Sequence, residues 1–208
     1  LLPVEACFES GKLVPVLHHR ALGRDLEQLV ISVVDNRRPM LSMMRAMLAA
    51  IGTGRIQTHE SPAEAFEAMA KDTPDLVIAA ADMGPVTGPE LISSMRHADA
   101  GPLCFVPAMV MSAHAKPSLV EKALRAGAHQ VLVLPTSAST LYRRLDWLLN
   151  DDRPFELRGE HYVVAGMEER LALSFPRPTY VPTPASPSLA IGRESQPATG
   201  TYGLAAQN

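Results

Sequence analysis

The sequence predicts an α/β fold, with five parallel strands in one sheet and helices on both faces. Three observations lead there. Between residues 29 and 150, short apolar runs alternate with amphipathic stretches of helical period, the pattern of repeated strand–helix units. The apolar runs lack polar alternation, as strands covered on both faces do. Pro and Gly punctuate the helical stretches at the positions that start and stop helices.

The elements follow in order. "LVISVV" (29–34) is an apolar, β-branched run ending at Asp35 and reads as the first strand. Pro39 opens the first helix, where a missing N–H costs nothing. Met40, Met44, Met47, Leu48 and Ile51 recur at helical spacing before Gly52 stops it. They read as core, with only Met43 free for partial exposure, although a methionine face can also serve as an adaptable docking surface. "RIQTH" (55–59) is a short second strand. Ser61-Pro62-Ala63-Glu64 has the form of a capping box, followed by Phe66, Met69 and Ala70 on one face.

"DLVIAAADMGP" (75–85) holds a third strand and its turn, and Gly88 to His97 a third helix carrying Leu91, Ile92 and Met95. "AMVMSA" (108–113) is the fourth strand, and Pro117 opens a helix that closes at Ala126-Gly127. "QVLVL" (130–134) is the fifth strand. "SASTLYRRLDWLL" supplies the last helix, with Leu141, Leu145, Leu148 and Leu149 inward. Right-handed crossovers make such a sheet parallel, and the expected strand order is 2-1-3-4-5, the flavodoxin-like doubly wound arrangement.

Around this domain the sequence predicts an irregular N-terminal arm (1–28) and an extended tail (151–208). The tail gathers prolines in "SFPRPTYVPTPASPSLAIGRESQPATG" and is expected to be disordered, having too little apolar surface to offset its ordering entropy. A net charge of −3 provides no basic stripe for nucleic acid. No apolar run approaches the length of a membrane span. Cys7 and Cys104 are too few for a disulfide framework and suit a reduced compartment. The first residues lack the order of a signal peptide, so a cytoplasmic location is expected.

Open α/β sheets keep their chemistry at the carboxyl ends of the strands. Here those ends carry Asp35-Asn36, Ala80, Ser112-Ala113 and Leu134-Pro135. A methyl group at position 80 offers nothing reactive. Four stretches, "VVDN", "DLVIAAADMGPVTG", "VMSA" and "AGAHQVLVLP", fall in order at these ends. Through them residues 29 to 150 resemble the response-regulator receiver family, the phospho-accepting modules of two-component signalling.

The resemblance places the family's phospho-accepting aspartate on Ala80 and its lysine on Leu134. The acidic pair that holds Mg²⁺ falls on Asp35 and Asn36, the hydroxyl that follows the phosphoryl group on Ser112, and the aromatic switch residue on Val131. It therefore implies a degenerate receiver, or pseudo-receiver, with no catalytic residue and no cofactor, Asp35 being the one weak candidate for a Mg²⁺ ligand. Acyl phosphate chemistry needs a carboxylate nucleophile and charge neutralisation, and both are diminished here.

Asp82 is read as a solvated loop acid at a position where the family offers a backbone carbonyl to the metal. The alternative is a displaced acceptor at Asp82 or Asp35. Asp35 serves equally well as a cap for the following helix. His114 and His129 are placed in loops on the site's side and read as surface residues, since two histidines do not make a zinc site.

The resemblance also implies a signalling partner: a histidine kinase, a phosphotransferase or a downstream regulator. The family docks partners on the face of helix 4, strand 5 and helix 5, or beside helix 1, which makes Lys122, Tyr142 and Arg143 candidate contacts and a homodimer through that face a further possibility. After the last helix, Arg153, Pro154, Phe155 and Tyr162 are similar to the tail of bacterial single-domain receivers. Met167-Glu168-Glu169-Arg170 replaces that tail's basic run. A small-molecule binder on the same sheet is the rival from another class, but Asp35-Asn36-Arg37-Arg38 is the opposite of a glycine-rich phosphate loop.

Overall fold

A computed structural model describes residues 4–9, 12–167, 169 and 171, with side chains from Leu17 onward. The tail from residue 172, where disorder is expected, lies outside the described residues.

The strands are β1 (Val4–Glu9), β2 (Lys12–Leu17), β3 (Val30–Val34), β4 (Arg55–His59), β5 (Leu76–Ala80), β6 (Ala108–Ser112), β7 (Gln130–Val133), β8 (Phe155–Arg158) and β9 (His161–Val164). The helices are α1 (Arg38–Ala50), α2 (Pro62–Lys71), α3 (Gly88–Arg96), α4 (Pro117–Arg125) and α5 (Ala138–Leu149). The central sheet runs β4-β3-β5-β6-β7, all parallel, which is the expected 2-1-3-4-5 order of a flavodoxin-like fold. Every residue of β5 is buried, as an apolar run covered on both faces requires. Met44 and Leu48 of α1 are fully buried, while Met43 is 37% exposed, so the methionine stripe is core with one member at its rim. No helix among the described residues is long and apolar enough to cross a membrane.

Three local expectations are corrected. Ser61 makes no side-chain cap, so the capping-box form there is not realised. The box sits instead at α3, where Glu90 N donates to Thr87 Oγ1 at 3.4 Å and Thr87 N donates to Glu90 Oε2 at 2.9 Å. On α2, Ala65 is buried and Ala70 is exposed, because the helix turns its Ala65–Met69 edge to the sheet. His129 is neither in a site-side loop nor at the surface. It precedes β7 at the opposite end of the sheet, is buried, and donates its backbone N–H to Ala108 O at 2.8 Å.

The flanking segments are more ordered than their composition suggests. β1, β2, β8 and β9 form a second, antiparallel four-stranded sheet, so the arm is a hairpin and the region after α5 begins with another. The two hairpins meet at one register pair, Leu17 with Phe155. β9 closes against a 3₁₀ segment, Ala98–Phe105, through a donation from Ala98 N to Glu160 O at 2.8 Å. Phe155, Val164, Met167 and Leu171 form a second small core, against which Phe105, Leu124 and Tyr162 pack. Phe105 meets Tyr162 at 4.7 Å and Phe155 at 5.7 Å between ring centroids. Arg153 and Trp147, also in this region, are stacked at 5.5 Å.

Arg96 at the end of α3 joins the two cores. Its guanidinium is buried and donates to Gly127 O at 3.0 and 3.2 Å, to Cys104 O at 3.0 Å and to Leu103 O at 3.4 Å. It also lies 5.0 Å above the Phe155 ring. Burial pulls its pKa down to about 9. Gly127, at φ +91°, has to be glycine, since a Cβ there would come within 2.8 Å of the Arg96 side chain.

The strap after β2 is held by Arg20 N to Phe105 O and Gly23 N to Leu149 O. Arg24 pairs with buried Asp75, whose other oxygen accepts from Val30 N at 2.9 Å. His19 in this strap is fully buried, edge-on to His129 at 5.7 Å. Burial lowers the His19 pKa to about 4 against the opposing charge of Asp151, and burial beside Arg96, His19 and Arg153 lowers that of His129.

The folded state therefore binds fewer protons than the unfolded one below pH 6.5. Stability is complete above that pH and falls as pH drops towards 4. His19 alone is expected to remove about 2 kcal/mol between pH 7 and pH 5, with His129 adding in the same direction. Urea unfolding at the two pH values checks this. An equal pH dependence in the wild type and in His19→Gln would sink it.

Candidate functional site

The carboxyl ends of β3, β5 and β6 and the loops after them surround an open cleft of about 500 Å³. Asn36, Arg37, Ala81, Asp82, Gly84, Met111, Ser112, Ala113 and His114 line it. Asn36 and Asp82 are both exposed. Asp82 turns back on its own loop, its Oδ1 accepting from Gly84 N at 3.5 Å. Ser112 is likewise engaged locally, donating to His114 O at 3.2 Å and accepting from His114 N at 3.1 Å.

Ala80 does not line the cleft. It is 1% exposed, in the last residue of β5, and its carbonyl approaches the start of α3. A Cβ on Gly88 would come within 2.3 Å of that oxygen, so only glycine lets α3 close over the strand end. Leu134 is 5% exposed and donates its backbone N–H to Ser112 O at 2.9 Å. Val131 is half-buried and packs on the main core. The two positions where the family resemblance places an acid and a lysine are thus apolar and buried together with the strand ends.

Asp35 is fully buried, and both of its carboxylate oxygens accept from within the loop. Arg37 donates three times to it: backbone N to Oδ1 at 2.8 Å, Nε to Oδ1 at 3.0 Å and Nη2 to Oδ2 at 2.9 Å. This is a bidentate fork, the strongest form of carboxylate pairing. The hydrogen bond to Asp35, with that charge and the charge of Asp82, raises the Arg37 pKa above its usual value. Arg38, next in the chain, turns away to Glu60.

A divalent ion of the kind the fold implies does not fit these residues. Asp35 already holds a cation on both oxygens, Asn36 brings no charge, and Asp82 points into its own turn. Among the described residues no group of three or more His, Cys, Asp or Glu side chains is arranged to hold a metal.

The three candidate partner contacts differ in their surroundings. Lys122 of α4 reaches across to α3, pairing with Glu90 at 3.1 Å; the hydrogen bond from the Thr87 backbone, with this pairing, draws the Glu90 pKa down to about 2. Tyr142 is 45% exposed and lines a second cleft with Leu26, Ile51 and Asp146, on the α1 side of α5. Arg143 is exposed and donates weakly to Thr140 Oγ1 at 3.4 Å. Arg37 was not singled out from the sequence. The signal was available as an acid two residues before an arginine at a strand end, but nothing in composition tells a chelating arginine from a solvated one.

The comparisons with known proteins agree with this architecture. The chemotaxis protein CheY4 of Vibrio cholerae superimposes with a TM-score of 0.54 at 22% identity, covering 58% of this chain and 98% of that one. The receiver domain of sensor histidine kinase PA1611 from Pseudomonas aeruginosa, described with a magnesium ion in its active-site cleft, gives 0.53 at 19% identity, covering 59% and 98%. At these identities the likeness is one of fold. Among curated proteins, the sensory/regulatory protein RpfC of Xanthomonas campestris pv. campestris is 26% identical over 138 residues. That match takes in 64% of this chain but 18% of RpfC, so the chain spans under a fifth of the curated relative's length. The response regulator receiver domain family itself matches residues 31–146, more than half of the chain, and the chain belongs to that family.

Proposed function

We propose that this chain is a pseudo-receiver, a two-component signalling module that has lost its phospho-acceptor and acts by protein–protein contact. The observation that carries the reading is Ala80, a buried methyl group at the end of β5 where a receiver keeps its nucleophile. An acyl phosphate cannot form on it. Leu134, buried at the position of the family's lysine, supports the same reading. Removing the acid alone would leave a cation without its partner in a half-closed pocket, and replacing both by apolar residues avoids that cost. With Val131 in place of an aromatic switch and packed on the core, a phosphorylation-driven change at the β7 edge lacks its moving part. The partner is then another signalling protein, a kinase, a phosphotransferase or a downstream regulator. Regulation comes from its abundance or from another ligand.

The coupled loss of acid and lysine has a stability signature. Ala80→Asp places a carboxyl in a buried apolar strand end and is expected to cost about 3 kcal/mol in urea unfolding at pH 7. Ala80→Asp with Leu134→Lys should recover part of that loss. A double variant no more stable than the sum of its singles would argue against a former ion pair.

The function is tested by intact-protein mass after incubation with Mg²⁺ and acetyl phosphate. No gain of a phosphoryl group is expected. An adduct abolished by Asp82→Ala or by Asp35→Ala would make the chain an active receiver with a relocated acceptor.

A further inference from the structure

We propose that the guanidinium of Arg37 is a built-in cation, standing where a divalent ion would sit on Asp35 and holding the β3–α1 loop in a state independent of metal. The inference rests on reading this cleft as a receiver site, but not on the loss of the acceptor at residue 80.

The geometry is specific to Arg37. Its backbone N–H and two of its guanidinium nitrogens converge on one carboxylate within 2.8 to 3.0 Å, so each Asp35 oxygen has a charge-assisted donor. The acid is wholly buried while the arginine side chain is about half exposed, which places the positive charge at the mouth of the cleft and closes access to the acid behind it. Asp82, on the opposite loop, is the second negative charge that Arg37 feels. The flanking basic residue, Arg38, is committed to Glu60 and does not compete.

An ion arriving from solvent must displace a group that is tethered two residues away, and a short tether corresponds to an effective concentration of millimolar or more. Mg²⁺ dehydrates reluctantly and needs hard oxygen ligands in near-octahedral array. With Arg37 in place both Asp35 oxygens already carry a charge-assisted donor, and an incoming ion has to compete with it. With Arg37 shortened the carboxylate becomes a buried acid at a cleft mouth beside a second acid, which is a site that attracts divalent ions.

Mn²⁺ titration of the full chain, read by paramagnetic broadening of the backbone amide signals of residues 34–37 and 80–82, tests this. Arg37→Ala and Arg37→Gln should broaden at Mn²⁺ concentrations at least tenfold below those the wild type needs. Adding Asp35→Asn to either should abolish the effect. Broadening at the same concentration in the wild type and both variants, or persistence of the effect without Asp35, would overturn the proposal. These outcomes are separate from phosphoryl transfer, so failure here leaves the pseudo-receiver reading to its own test.

Discussion

The buried guanidinium of Arg96 ties the architecture together. Among the described residues it has no carboxylate partner and is satisfied by the carbonyls of Gly127, Leu103 and Cys104, which belong to the turn before β7 and to the 3₁₀ segment. A cation removed from water is tolerated only when its donors are met, and these carbonyls meet them only if α3, the 3₁₀ segment and the α4–β7 turn keep their spacing. The Phe155 ring beneath it extends the same constraint to the second sheet. One side chain thus couples the receiver core to the segments that flank it.

The opposite end of the sheet is organised by a different principle. There Gly88 lets α3 approach the end of β5, and Ala80 and Leu134 put buried apolar side chains at the strand ends. The polar groups at this end are engaged locally: Asp35 by Arg37, Ser112 by His114 and Asp82 weakly by its own turn. Groups engaged from within in this way do not need a ligand to be stable.

Much of this was legible in the sequence. The strand ends at Asp35, Ala80, Ser112 and Leu134 lie where periodicity placed them, because runs such as Leu76–Ala80 are apolar enough to be buried on both faces whatever surrounds them. The flanking sheet was not legible. Lys12–Leu17 contains a proline, and Phe155–Arg158 alternates but is only four residues long, too short for its period to mark a strand. Each becomes a strand through its partner. The fate of His129 was hidden for the same reason: its burial depends on His19 and Phe155, which are remote in sequence. The Ser61 cap failed although its pattern was correct, while Thr87, in a less conspicuous context, formed the box. Capping chemistry is decided by loop geometry that residue type alone does not set.

The single pairing of Leu17 with Phe155 has a kinetic consequence. It joins residues 138 positions apart (155 − 17), and a chain that must close so long a loop before gaining a contact loses entropy with little immediate return. Neighbouring β-α units close far shorter loops. The joining of the two hairpins is therefore a late event in folding, templated by a core that already presents Phe105 and Leu124 to receive it. During synthesis the β1–β2 arm must wait for residues made more than a hundred positions later.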